Sequence, residues 1–373
     1  MTVYDVIIIG AGIAGASIAS EIAAHRSVVL LEAEEQPGYH ATGRSAAFWT
    51  ESYGGPQVQP LTTASLEHLA NPPSDFSSRS FLKPRGAINI AKGDQAGLVD
   101  EFMRKFSRSG VTMENWDASR LQSTIAHLKP AWQHGVYEPD CCDIDVAGLH
   151  AAYLRNARKN NVALKCNTKV QALSCNNLIW NVETNAGPFN ARTIVNAAGA
   201  WADEIAILAG VRPIGIQPMR RTMVQIKTDP PSSPEMALIV ALDGSFYFKP
   251  EAGGSYWLSP HDEAPVPPGD VTPEELDVAT AIDRFQSVLN VEVKSVLHKW
   301  AGLRSFAPDR LPVYGFDPVD RSFFWFAGQG GFGIQTAPAA AKLAKAILLD
   351  VPPEKSVQPI DAALYDASRF KQC

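Results

Sequence analysis

The chain has 373 residues, of which 46% are hydrophobic and 19% charged, with a net charge of −6. That length allows a large core and about two domains, and the acidic balance gives no electrostatic reason to expect nucleic acid or an anionic membrane as a partner. Five cysteines, Cys141, Cys142, Cys166, Cys175 and Cys373, form neither C-x-x-C pairs nor a pattern with histidines, so neither a redox pair nor a metal site is expected.

The first elements lie in residues 4 to 32. Tyr4 to Ile9 is a β-branched apolar run of strand length, Gly10-Ala11-Gly12-Ile13-Ala14-Gly15 matches G-x-G-x-x-G, an alanine-rich helical segment follows, and Val28 to Leu31 is a second buried strand. Gly10 permits a tight turn, Gly12 removes the Cβ that would block a pyrophosphate, and Gly15 lets helix and strand pack closely. The first-turn N–H groups then face the phosphates, where the helix dipole favours negative charge. Glu32 ends the second strand, placed to accept from an adenosine ribose and to disfavour a 2′-phosphate. The apolar start has no basic region before it and is interrupted by Asp5 and the glycines, so it reads as a core strand rather than an export signal. No stretch approaches the ~20 apolar residues of a membrane span, and a cytoplasmic protein is expected.

Residues 33 to 55 read as loop with a short helix around Ser45 to Phe48, and Arg44-Ser45 offers a cation and a hydroxyl for phosphate or flavin. Helices are expected at 60 to 70 and 95 to 108, with a strand at Ala87 to Ala91. Asp145 is placed to cap a helix running to about Lys159. Short strands at 162–166, 169–174, 178–184 and 193–197 follow as a meander, the last ending in Asn196-Ala197-Ala198-Gly199-Ala200-Trp201, small residues suited to close backbone approach. Residues 215–227 and 244–250 read as strands, 264–273 as a proline-rich surface loop, and 273–289 as a helix. Near the C-terminus, Gly328 to Gly333 repeats the glycine pattern before a helix at 337–349, but no strand follows to hold an acid. It therefore reads as a backbone cradle at a helix start, suited to the negative charge of a reduced flavin. One nucleotide fold with such a cradle favours FAD over NAD.

The segments GAGIAGAS, GYHATGRSAA, NAAGAW, WAGLRSF and GQGGFGIQ together resemble the FAD-dependent D-amino acid oxidase and dehydrogenase superfamily, bacterial D-arginine dehydrogenases most of all. The resemblance implies an α/β fold in which a Rossmann-like FAD-binding domain (1–55, 145–210, 300–373) is interleaved with a smaller mixed-sheet substrate-binding domain (56–144, 211–299). It implies non-covalent FAD, since no cysteine stands near Arg304. The cofactor is expected along Gly10, Gly12, Ile13, Ala14 and Gly15, at Glu32 and Ala33, and beside Arg44, Ser45, Ala46 and Ala47. Val170, Ala198, Gly199, Trp201 and Gly302 would continue that surface, and Gly330, Gly331, Phe332, Gly333, Ile334 and Gln335 would close it.

By the same resemblance Arg221 and Arg304 bind the substrate carboxylate, Tyr53 and Tyr247 add hydroxyl contacts, Thr50 sits close by, and the Gly331 carbonyl holds the amine. A guanidinium fork matches a carboxylate bidentately, and two of them orient an amino acid for hydride transfer. In the arginine-specific relatives a glutamate anchors the guanidinium of the substrate; Ala87 stands there in this chain, and Phe48 replaces a histidine. The expected activity is oxidative deamination of D-amino acids with apolar or bulky side chains rather than D-arginine. The alternative is oxidation of a secondary or N-substituted amine such as an opine, sarcosine or D-proline, with a partner subunit possible. A flavin with no catalytic role is a third reading. The electron acceptor, oxygen or a quinone, is left open.

Overall fold

The computed structural model describes residues 2–370; Cys373 lies outside them. Two large sheets and one small one organise the chain. The first runs Val170–Asn176, Ile179–Thr184, Phe189–Asn196, Val3–Ile9, Val28–Leu31, Ala163–Lys165, with Val313–Phe316 and Phe323–Ala327 joined through Phe189–Asn196. Its centre is parallel: Val3–Ile9 pairs in parallel with both Val28–Leu31 and Phe189–Asn196. Strands covered on both faces carry no polar alternation, which is why Ile7, Ile8, Val29 and Leu30 are all fully buried. Helix Ile13–Ile22 packs against helices Val146–Lys159 and Gly333–Leu349 on one side of this sheet. Asp145 caps the second of these as expected, accepting from Gly148 N at 2.8 Å.

The second sheet runs Gln329–Gly330, Glu292–Phe306, Gln217–Asp229, Ser255–Ser259, Tyr247–Glu251, Leu238–Ala241, Ala87–Lys92, Trp132–Glu138, Glu114–Trp116. Cross-strand partners share a face, so its register sorts the side chains. Arg221 and Met223 stand with Gly302 and Trp300, Tyr247 with Ser259, and Ala87 with Glu138. These project toward the nucleotide fold. The intervening Val224, Ile226, Phe248 and Leu258 project the other way and bury Phe285 of helix Glu275–Val288. A three-stranded sheet of Phe48–Trp49, Cys142–Ile144 and Leu82–Pro84 joins the two halves.

Three local expectations are corrected, and one element appears that was not expected. The segment Ser45–Phe48 is not helical, because Phe48 and Trp49 pair with Asp143 and Cys142 as a strand. The last helix starts at Gly333 rather than 337, so the glycine pattern runs into its first turn. The strand Glu292–Phe306, which carries Trp300 and Arg304, was not among the expected elements; its first half is largely exposed, and Val293, Val296 and Leu297 do not alternate in it. The proline-rich loop is not free surface: Ala264–Pro265 pairs with Arg220 and Met219, and Asp270 is drawn against Arg44.

Candidate active site

A cleft of roughly 1430 Å³, mouth included, runs from Gly10 and Glu32 at one end to Arg221, Arg304 and Gly331 at the other. Its two ends differ in chemistry, a glycine turn at one and two guanidiniums at the other.

At the first end the glycines do what their spacing implies. Gly10 has φ +98°, and a Cβ there would lie 2.5 Å from Ala197 O. One at Gly15 would overlap the Gly10 carbonyl oxygen, so helix and strand touch through backbone. Gly12 meets only Thr42 Oγ1, at 3.2 Å, and otherwise leaves the cleft open. Two first-turn expectations change. The Ile13 amide donates to Thr42 Oγ1 at 2.9 Å, and the Ala11 amide to Glu32 Oε2 at 2.8 Å, so neither is free for phosphate. Glu32 Oε1 also takes Glu34 N at 3.0 Å, which makes this acid a brace for the turn as well as a lining group. His150 Nε2 lies 2.9 Å from Ala11 O, and burial pushes its pKa down, consistent with a neutral ring pinning the loop. Sequence reasoning overlooked His150 and gave no role to Thr42 or Asn196, although both lie in its motifs. Asn196 fixes the Ala198 to Trp201 turn, donating to Ala202 O at 2.7 Å and accepting from Ala198 N at 3.3 Å.

Ile13, Ala14, Arg44, Ser45, Ala46, Ala47, Ala198, Gly199, Trp201, Gly302, Gly330, Gly333, Ile334 and Gln335 line the cleft. Gly15, Ala33, Val170 and Phe332 do not. Ala33 faces solvent, Val170 is packed in the sheet core, and Phe332 packs on Val58 and Phe306. Arg44 is less available for phosphate than expected: Nη1 donates to Ala301 O at 3.1 Å and Val271 O at 3.3 Å, and Nη2 to Asp270 Oδ1 at 2.5 Å.

At the other end Arg304 Nη1 donates to Tyr53 OH at 2.6 Å. A Cβ on Gly331 would lie 2.5 Å from that hydroxyl and 3.0 Å from Arg304 Nη1, so glycine makes room for the pair. Arg221 is 4% exposed; Nε donates to Asp262 O at 2.7 Å and Nη2 to Glu263 Oε1 at 3.0 Å, while Nη1 has no partner. Burial, with Arg304 nearby, draws its pKa down to about 10, which still leaves it charged at neutral pH. Phe48 stands between Tyr53 and Tyr247, 5.7 Å from each ring. Tyr247 OH contacts Met223 Sδ at 3.1 Å, and Met223 is a lining residue that no sequence signal marked. Behind Tyr247 lies His261, its pKa lowered to about 3 by burial and by the two arginines. Thr50 and Ala87 stand behind the wall rather than on it. Ala87 packs under Phe48, Met223 and Tyr247, and Thr50 bonds to Glu138. Among the described residues Glu32 is the only carboxylate lining the cleft, and no group of acids, histidines or cysteines could hold a metal.

A nucleotide fold thus opens onto a wall that carries two guanidiniums. The chain belongs to the FAD dependent oxidoreductase (DAO) family, whose model matches residues 5–347. The glycine turn, the open Gly12 face and the length of the cleft fit FAD.

The chain is 26% identical to mitochondrial dimethylglycine dehydrogenase of Rattus norvegicus over 98% of its own length, and spans only 45% of that protein. It is also 26% identical to hydrogen cyanide synthase subunit HcnC of Pseudomonas aeruginosa, covering 99% of this chain and 96% of that one. Among solved structures, glycine oxidase from Geobacillus kaustophilus superposes with a TM-score of 0.84 at 22% identity, covering 99% of both chains. L-proline dehydrogenase from P. horikoshii gives 0.85 at 20%, covering 99% of this chain and 98% of that one. At such identities the two structures establish the fold alone.

Proposed function

We propose that this protein oxidises the carbon–nitrogen bond of a small amino acid, an N-substituted one in preference, with FAD as electron acceptor. The observation that carries the reading is Arg221 Nη1, a buried guanidinium nitrogen without a partner on the same cleft wall as Arg304. Buried donors are almost always satisfied, so an acceptor from a ligand belongs there, and a carboxylate supplies one. When bound, FAD takes up the hydride equivalent that amine oxidation releases. Arg221 and Arg304 hold the carboxylate, and their charge disfavours the ammonium form of the amine, leaving the lone pair that C–H cleavage requires. Phe48, Met223 and Tyr247 form a wall that excludes water and suits an N-alkyl or apolar group. With Glu32 at the far end as the only lining acid among the described residues, a cationic side chain finds no anchor beside that wall.

The name of dimethylglycine dehydrogenase supports the N-substituted reading, and that of glycine oxidase a small amino acid without a D-configured side chain. D-amino acids with apolar side chains are the second reading, favoured by the same apolar wall. Anaerobic bleaching of the flavin absorbance distinguishes them, using sarcosine, dimethylglycine, glycine, D-proline, D-methionine and D-arginine. Fastest bleaching by the N-methyl acids is expected, with D-arginine slowest. Bleaching by amines without a carboxylate, or by none of the acids while FAD is bound, would overturn the reading.

A further inference from the structure

Glu138 ends the strand Trp132–Glu138, opposite Ala87 and on the face of the large sheet that looks toward the cleft. It is 3% exposed. Among the described residues it forms no ion pair, although a buried carboxylate without a cation is costly unless neutral donors compensate. Here they do. Oε1 accepts from Ser52 Oγ at 2.5 Å and Asn89 Nδ2 at 2.9 Å; Oε2 accepts from Thr50 Oγ1 at 2.8 Å and, more weakly, from Ser52 N at 3.4 Å.

Three of those four donors come from Thr50 and Ser52, in a turn that has no ladder of its own and ends at Tyr53. Gln335 grips the same turn from the other side. Its Oε1 accepts from Thr50 N at 3.3 Å, and its Nε2 donates to Tyr53 O at 3.2 Å and to Thr62 Oγ1 at 3.0 Å. The turn then delivers the Tyr53 hydroxyl to Arg304 Nη1. A continuous chain of hydrogen bonds thus runs from Asn89 through Glu138, the turn and Tyr53 to one of the two guanidiniums.

We propose that Glu138 is a positioning residue for carboxylate recognition: it sets the turn that places Tyr53, and through Tyr53 it orients Arg304 without touching the substrate. This rests on the proposed role of Arg221 and Arg304. A purely structural role would be to fill a polar gap in the sheet, with consequences for stability alone.

The test uses the FAD-loaded protein and benzoate as a carboxylate probe, with benzyl alcohol as its neutral counterpart, followed through the flavin absorbance. Glu138→Gln keeps the shape but turns one acceptor into a donor facing other donors. Its benzoate Kd is expected to rise about tenfold or more, with FAD content unchanged, and the same substitution in a Tyr53→Phe background is expected to raise Kd less than about threefold. An unchanged Kd, or an equal rise with and without the Tyr53 hydroxyl, would overturn the inference. Should Glu138→Gln not fold, Ser52→Ala gives the same decision: a rise of about threefold or more that disappears in Tyr53→Phe supports it, and no rise refutes it. Failure of the unsubstituted protein to bind benzoate in preference to benzyl alcohol would instead remove the proposed carboxylate site, and this inference with it.

Discussion

The two ends of the cleft are built in opposite ways. The nucleotide end is backbone: Gly10, Gly12 and Gly15 within six residues, a carbonyl in contact range of a neighbouring strand, and small residues at Ala198 and Gly199. The arginine end is side chain. Arg221, Arg304, Tyr53 and Tyr247 come from separate segments, and each is aimed by partners elsewhere in the chain. Backbone sites tolerate almost no added atoms but need no aiming, whereas side-chain sites survive substitution as folds and fail as chemistry.

The sharpest way to break that contrast is Gly15→Ala. The new methyl overlaps the Gly10 carbonyl, so a loss on the order of 4 kcal/mol and FAD-free or insoluble protein are expected. Urea midpoints together with flavin-to-protein ratios measure it, and a stable, FAD-replete variant would show that helix and strand do not pack through that contact. Arg304→Ala comes next. Truncating one member of a buried charged pair costs about 2–5 kcal/mol, so kcat/KM for an acid substrate is expected to fall about 10³-fold while the flavin spectrum and FAD content stay intact. Loss of FAD in step with activity would erase the division between the two ends.

Acidification tests both regions together. His68 lies near the helix layer of the nucleotide fold with its pKa lowered to about 4, chiefly by burial, and His261 lies behind Tyr247 at about 3. Both fall below the ordinary histidine value of 6.5, so the unfolded chain binds these protons first. The stabilisation is present above pH 6.5 and is lost as pH drops toward 4 and 3. Melting temperature should fall over that window, and His68→Leu, which removes a ring whose Nε2 has no partner, should make the fall shallower. The smallest effect belongs to Asp270→Asn. Asp270 is largely exposed, and Arg44 keeps its bonds to Ala301 O and Val271 O, so stability should change by less than about 1 kcal/mol.

What was legible in the sequence follows the same division. The strands Val3–Ile9 and Val28–Leu31, the helix between them, the Asp145 cap and the Gly328 to Gly333 cradle all announce themselves within a few residues. The lining residues Arg221, Arg304, Tyr53 and Tyr247 were reached through resemblance, and the structure brings them to one wall. Ala87 and Thr50 were expected in the pocket and stand behind it: Ala87 is covered by larger neighbours such as Phe48 and Tyr247, and the Thr50 hydroxyl turns to Glu138. Met223, Asp262 and Glu138 had no signal, since none sits in a motif and each acts on a residue far along the chain.

The sequence by itself determined the nucleotide fold, because glycine spacing, apolar runs and an acid at the end of the second strand are local and act through backbone sterics that any such segment obeys. Only the tertiary structure decided the arginine wall. Arg304 meets Tyr53 across 251 positions, and Thr50 meets Glu138 across 88. Which side chains share that wall is set by strand register, where a slip of one residue would turn Arg221 away from the cleft and Arg220 toward it.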